Sequence, residues 1–200
     1  MDEDLDVVER VRAGEIQAYA VLVRKYQGSV RGYCLGVLGN AADADDAAQE
    51  VFIKAYRGLA GFGGRSSFST WLYRITVNHC RDLLRSPARG RSESLEALRE
   101  EEGEAFEARL AVRPEGQPSE QEQRVREALA YLPEEYKAVL MLREVQGLSY
   151  QEVAESLGCS LDAVKARLRR ARAALEERFR RQGGPTTVDR SGGWHGSRVV

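Results

Sequence analysis

No stretch of this 200-residue chain holds eighteen consecutive apolar residues, so no transmembrane helix is expected. The opening "MDEDLDVVER" is acidic and amphipathic, which argues against a secretory or transit peptide and predicts a cytoplasmic protein without membrane insertion. Histidine is scarce: only His79 and His195 occur, and a histidine-based metal site is not expected. The three cysteines (Cys34, Cys80, Cys159) are far apart in sequence with no CxxC pair, the usage of buried thiols in a reducing compartment. Strand signals are nearly absent too, while helical periodicity recurs throughout, so an all-α protein is predicted. An acidic stretch could suggest paired catalytic carboxylates or a divalent metal. No second acidic motif stands at a matching spacing, so no catalytic residue, metal or cofactor is expected.

What is present is segregated charge. The formal net charge is only −1. Yet residues 41–50 carry four acids and no base, and residues 65–91 carry six arginines against the single Asp82. Residues 92–122 hold ten acids and three arginines, and residues 163–181 hold eight bases and two acids. Alternating blocks imply separate surfaces for separate partners, and two basic blocks imply two contacts on one polyanion.

The periodic segments fall into two groups. Helices are predicted at about 5–13, from Tyr19 to about Val37, at about 42–59 and at about 69–85, making a domain over 1–90. Residues 91–121 are rich in Pro, Gly, Ser and charge and read as a flexible acidic linker. Helices resume over 122–182, with Pro133 at the first helical position of one that runs to about Val145. The tail 183–200 lacks periodicity and reads as disordered, its Trp194 unexplained.

In the second group, "GLSYQEVAESLGCSLDAVKARLRRARAAL" carries the strongest local signal. Ser149 and Glu152 form a capping box, Gly158 suits a left-handed turn, and Ser160 can cap the next helix. Two helices joined by a short glycine turn make a helix-turn-helix. The outward face of its second helix presents Asp162, Ala163, Ala166, Arg169 and Arg170, flanked by Lys165 and Arg167. Small residues there admit close backbone approach, and long basic ones reach guanine edges or phosphates of duplex DNA. Asp162 would repel phosphate, so it either accepts from a cytosine amine or only caps the helix.

On the helix near 70–85, Arg74, Asn78, Arg81 and Arg85 line up between two apolar strips. Such a stripe is either a solvated face or a nucleic-acid contact. The loop before it, "FGGRSSF", favours contact: Phe62 and Phe68 could stack on an unpaired base while Ser66 and Ser67 hydrogen-bond it. The helix at 42–59 turns Asp46, Gln49, Glu50, Ile53 and Arg57 away from its core. An isoleucine ringed by acids fits a protein partner, and solubility alone is the other reading.

Three motifs in order, "DADDAAQEVFIKAY", "FGGRSSFSTWLYRITVNHCRDLLR" and "LPEEYKAVLMLREVQGLSYQEVAESLGCSLDAVKARLRRAR", together with the upstream "AYAVLVRKY", resemble the extracytoplasmic-function branch of the sigma-70 family. These are the promoter-specificity subunits of bacterial RNA polymerase. The resemblance implies a region 2-type and a region 4-type helical domain. It assigns Asp45, Asp46, Gln49, Glu50 and Ile53 to the polymerase core (β′ and β subunits). Phe62, Arg65, Ser66, Ser67, Phe68, Trp71, Arg74, Asn78 and Arg81 fall to the melted −10 element. Asp162, Ala163, Lys165, Ala166, Arg167, Arg169 and Arg170 fall to the duplex −35 element. An anti-sigma factor is a further implied partner. Departures stand at Ala47 and Ala48, where larger aliphatics are common, and at Asp162-Ala163, where Gly-Thr is frequent. The alternative is a free-standing helix-turn-helix regulator binding duplex operators.

Overall fold

The computed structural model describes residues 3–85 and 127–181, and the chain divides into two compact units, Met1–Gly116 and Gln117–Val200. The expected linker (91–121) and tail (183–200, with Trp194) lie outside the described residues. Among the described residues every regular element is helical.

In the first unit α1 (Glu3–Arg12) leads through a 3₁₀ turn (Ile16–Ala18) into α2 (Tyr19–Leu38). Then come α3 (Ala41–Gly58), a second 3₁₀ turn (Leu59–Gly61) and α4 (Phe68–Arg85). The central helix is α2, against which α1, α3 and α4 all pack. The corner between α2 and α3 is tight because Gly39 takes φ +77° and Asn40 caps α3, accepting from the amide of Ala42 at 2.8 Å. Leu22, Val30, Tyr33, Val51, Phe68 and Leu72 are almost completely buried. Ala47 and Ala48 are buried as well, so these small side chains lie within the core rather than at its margin. Tyr26 is half-buried, its hydroxyl reaching out to the Asp4 carboxylate.

Long-range polar contacts also bind this unit beyond apolar packing. The Tyr19 hydroxyl donates to the Phe52 carbonyl at 2.7 Å, and burial pushes its phenol well above the ordinary tyrosine range. The buried Asp4 carboxylate accepts from Lys25 of α2 at 2.5 Å as well as from Tyr26, which fastens the start of α1. Cys34 and Cys80, distant in sequence, meet in the core with sulfurs 3.6 Å apart. The hydrogen bond to Cys80 and then burial drive the Cys34 thiol far above its usual range.

The described part of the second unit starts with helical residues 127–130 and continues through α5 (Glu134–Leu140), a π turn (Met141–Val145), α6 (Tyr150–Leu157) and α7 (Leu161–Arg181). Pro133 is the cap residue of α5, with extended ψ 147°, rather than its first helical residue as its sequence position suggests. Its fixed φ still orients the chain into the helix. No local sequence signal announces the π turn. It closes with the Gln146 amide on the Met141 carbonyl (3.0 Å), and Gly147 at φ +72° then releases the chain. Arg143 secures the exit by donating to the Leu148 carbonyl at 2.7 Å while its guanidinium lies over Tyr150. The capping box of α6 forms as predicted, Ser149 and Glu152 each accepting the other's backbone amide. Gly158 adopts φ +62°, and Ser160 accepts from Ala163 to begin α7.

Thiol accessibility tests this packing. Cys159 is half-exposed whereas Cys34 and Cys80 are buried. A maleimide should modify Cys159 readily and the other two at least about a hundredfold more slowly, since only locally opened chains react there. Rapid native labelling of all three would refute the packing of α2 against α4.

Candidate nucleic-acid and protein interfaces

The acidic face arises because α3 buries Ala44, Ala47, Ala48, Val51, Phe52 and Ala55, which turns residues 46, 49, 50, 53 and 57 the other way. Asp46 and Arg57 are exposed, while Gln49, Glu50 and Ile53 are half-buried, so Ile53 presents only part of its side chain. Asp45 is already engaged, accepting from the guanidinium of Arg31 on α2. Its first role is therefore to join α2 and α3.

Beside this face Lys54 donates to Nδ1 of His79 on α4 at 2.7 Å. Burial first, and then the Lys54 charge, hold the His79 pKa below 6.5.

The loop after α3 rests on an aromatic cluster. Phe62 packs against Phe68 (ring centroids 6.0 Å) and Trp71 (5.0 Å), Phe68 against Trp71 (5.7 Å), and Tyr26 of α2 against Phe68 (5.6 Å). Phe62 and Phe68 are 3% and 0% exposed, so neither offers a ring face to a base in this structure. This corrects the stacking role expected of them: they form the floor beneath the loop. Apolar side chains flanking a glycine pair find each other before they find a ligand, because burying them is favourable by itself. Trp71 is half-buried against Gly58, where an added Cβ would lie 3.3 Å from the indole.

Ser67 is also committed. Its hydroxyl accepts from the Thr70 amide at 3.1 Å and meets the Thr70 hydroxyl at 2.8 Å, capping α4. What the loop presents is Gly63, Gly64 (φ +65°) and Arg65, all exposed, with Ser66 half-buried. Along α4, Arg74, Asn78 and Arg85 are exposed and Arg81 half-buried, at the predicted spacing. Sequence reasoning missed Arg12, whose guanidinium bonds the Leu59, Ala60 and Phe62 carbonyls at the base of this loop. A partner 47 to 50 residues away leaves no local signal.

In the second unit tertiary contacts sort the basic block of α7. Arg167 pairs with Glu135 of α5 at 3.0 Å, Arg172 with Glu144 at 2.5 Å, and Arg178 lies 3.7 Å over the Tyr131 ring. Arg180 and Arg181 pair with Glu177. Arg167, expected on the DNA face, is thus half-buried and turned towards the scaffold. Lys165, Arg169 and Arg170 are exposed, Ala163 and Ala166 half-buried. Among the described residues neither Arg169 nor Arg170 joins an ion pair, and Lys165 approaches Asp162 only at 3.8 Å. Asp162 stands exposed in the first turn of α7, where the helix dipole favours a carboxylate. Among the described residues no three metal-ligating side chains converge.

A helical unit with an acidic face beside a basic stripe, and a second built around a helix-turn-helix with an exposed basic face, define a two-module all-α protein with separate acidic and basic surfaces. Residues 22–90 match the profile of sigma-70 region 2, and residues 122–175 that of sigma-70 region 4. The RNA polymerase sigma-H factor of Pseudomonas aeruginosa is 38% identical over 182 residues, covering 88% of this chain and 93% of its own. The ECF RNA polymerase sigma-E factor of Escherichia coli K12 is 38% identical over 184 residues, with the same coverages. The solved structure of CnrH in complex with the cytosolic domain of CnrY matches with a TM-score of 0.63 at 27% identity, covering 88% of this chain and 96% of that one. The fold is shared also by sigma factor RpoE of Bartonella quintana (TM-score 0.62, 23% identity, 83% of this chain and 97% of that one). The chain belongs to the extracytoplasmic-function branch of the sigma-70 family, whose members are non-enzymatic transcription initiation factors. A match across both units disfavours the free-standing operator binder.

The histidine site yields a pH prediction. Because the folded pKa of His79 lies below its unfolded value of 6.5, the unfolded chain takes up the proton first as pH falls. The stability this group contributes is full above 6.5 and is lost on acidification below it. The urea midpoint of the first unit should drop from pH 7.5 to 5.5, and His79→Gln should flatten that drop. An unchanged slope in the variant would assign the acid sensitivity to carboxylates instead.

Proposed function

We propose that the acidic face of α3 (Asp46, Gln49, Glu50 and Ile53, with Asp45 at its edge) docks on the coiled coil of the β′ subunit of core polymerase. An acidic surround with one apolar anchor suits a basic, partly apolar helical surface, and it would repel DNA. The observation that carries this reading is the separation of charge within one small unit: the acidic face on one helix, the basic stripe on the next.

The loop and α4 then hold the melted −10 element. Arg74, Asn78 and Arg81 track the backbone, and Arg65 and Ser66 receive an unpaired base above the Phe62–Phe68–Trp71 floor. In the other unit α7 enters the major groove of the −35 element. Ala163 and Ala166 allow close approach, and Lys165, Arg169 and Arg170 contact guanine edges or phosphates. Asp162 accepts from a cytosine amine or only caps the helix. Arg167 acts indirectly, by holding α7 to α5. The acidic stretch 91–121 follows a basic channel of the polymerase.

CnrH was solved in complex with the cytosolic domain of CnrY, and RpoE of Bartonella quintana with the anti-sigma factor NepR. By analogy we place this chain under an anti-sigma factor that covers its core- and DNA-binding faces. No helix of the described residues is long and apolar enough to cross a membrane, in keeping with a cytoplasmic site of action beside the polymerase.

Binding to purified core polymerase tests the docking face. Gln49→Ala/Glu50→Ala should weaken it about thirtyfold or more, the size of a central contact. Arg169→Glu/Arg170→Glu should bind core as wild type does and lose −35-dependent transcription. Arg74→Ala should slow promoter opening while sparing core binding. A wild-type chain that fails to bind core, with any inhibitor removed, would overturn the docking assignment; equal loss of opening and core binding in Arg74→Ala would overturn the division between α3 and α4.

A further inference from the structure

We infer that Arg12 is a positioning residue for promoter melting: from α1, outside the part of the chain that matches region 2, it clamps the base of the strand-capturing loop. The inference rests on the reading that this loop receives the unpaired base.

The contact is built for that task. Nε and Nη2 of Arg12 both donate to the Leu59 carbonyl, at 3.1 and 2.9 Å, and Nη2 also reaches the carbonyls of Ala60, at 3.3 Å, and Phe62. Nη1 donates to Glu9 at 2.8 Å, one turn back on α1, which holds the fork in plane. Leu59–Gly61 is the 3₁₀ turn at the end of α3. Carbonyls at a helix end lack helical partners and carry the negative end of the dipole, so a guanidinium is a fitting cap. Here the cap comes from another helix.

The loop that remains is short. Its first anchor is Phe62, whose ring is buried and whose carbonyl is bonded to Arg12; its second is Ser67, capping α4. Only residues 63–66 span the gap, and two are glycines. Glycine pairs are conformationally loose, so the position of Arg65 and Ser66 is set chiefly by the two anchors. The far end of α1 reaches the same cluster, since Asp4 holds Lys25 and Tyr26, and Tyr26 packs on Phe68. Both ends of α1 therefore brace the aromatic floor. Without Arg12 the first anchor loses its polar half, and ordering the loop around a base costs more entropy. Among the described residues, the proposed docking face at residues 46–53 carries none of these contacts.

The test uses holoenzyme of the full chain with core polymerase and a duplex promoter that the wild-type holoenzyme selects from a randomised pool. Variants are Arg12→Ala, Arg12→Gln and Arg12→Lys, with Arg65→Ala as a control on the loop reading. Core affinity, the rate of promoter opening by 2-aminopurine fluorescence, and hydrogen exchange of amides 59–67 are measured on each. Arg12→Ala should open the promoter about tenfold more slowly, the rate equivalent of one charge-assisted hydrogen bond. Its core affinity should be unchanged and its faster exchange confined to 59–67. Arg12→Lys should fall between, because an ammonium satisfies fewer carbonyls than a planar fork. Arg65→Ala slow with Arg12→Ala at the wild-type rate would overturn the positioning role and leave the loop reading standing. Wild-type rates in both would overturn the loop reading and this inference with it. Where Arg12→Ala loses its fold, as parallel losses of helicity and core affinity would reveal, the other two decide: rates ranked Lys above Gln support the clamp, and equal rates overturn it.

Discussion

A glycine-rich loop presents a side chain reproducibly only when the chain is held on both sides of the glycines, and the first unit depends on how that is done. Phe62 and Phe68 flank the pair and are both buried, joined by Trp71 and by Tyr26 from α2. Fully burying side chains of this size is worth about 1.5–3 kcal/mol each. The cluster also dictates the polar arrangement around it. Ser67 caps α4 because Phe68 begins it, and where the chain leaves α3 the Leu59, Ala60 and Phe62 carbonyls accept from Arg12. The basic stripe on α4 inherits its direction from the same packing, since Phe68, Leu72 and Tyr73 turn inward and Arg74 and Asn78 outward.

Charge in the second unit follows a comparable logic. A helix with eight bases over 163–181 would repel itself if all were left free. Glu135 and Glu144 draw Arg167 and Arg172 onto the scaffold, and Tyr131 takes Arg178. The pairs with half-buried partners hold α7 to its support, while exposed pairs such as Arg181 with Glu177 are worth at most about 1 kcal/mol. Lys165, Arg169 and Arg170 stay outward, one compact cationic face on the first half of the helix. Neutralising the rest confines phosphate attraction to that outward face, the one we propose reads DNA, which favours one docking orientation over many.

The helices, their order and the two-unit division were largely legible in the sequence, because periodicity and caps are local: Ser149 with Glu152, Gly158, Asn40 and Gly39 act within a few residues of where they stand. So was the family, since its motifs lie along the chain in order. The orientation of polar faces on α3, α4 and α7 followed from helical geometry alone. Less was legible in the loop, where Phe62, Phe68 and Ser67 invite a ligand-binding reading yet are consumed by packing and capping. Nor could sequence reveal the π turn after Leu140, which depends on how Arg143 and Gly147 close the chain towards α6.

By itself, then, the sequence determined which segments are helical, which faces are acidic or basic, and which family the chain belongs to. The tertiary structure alone decided which of those side chains are free. It assigned Asp45 to Arg31, Arg167 to Glu135, Phe62 and Phe68 to the core, Cys34 to Cys80, and Arg12 to the loop beyond α3. Each of these joins residues well apart in the chain or depends on such a contact, and no local pattern encodes a partner brought near only when the helices pack.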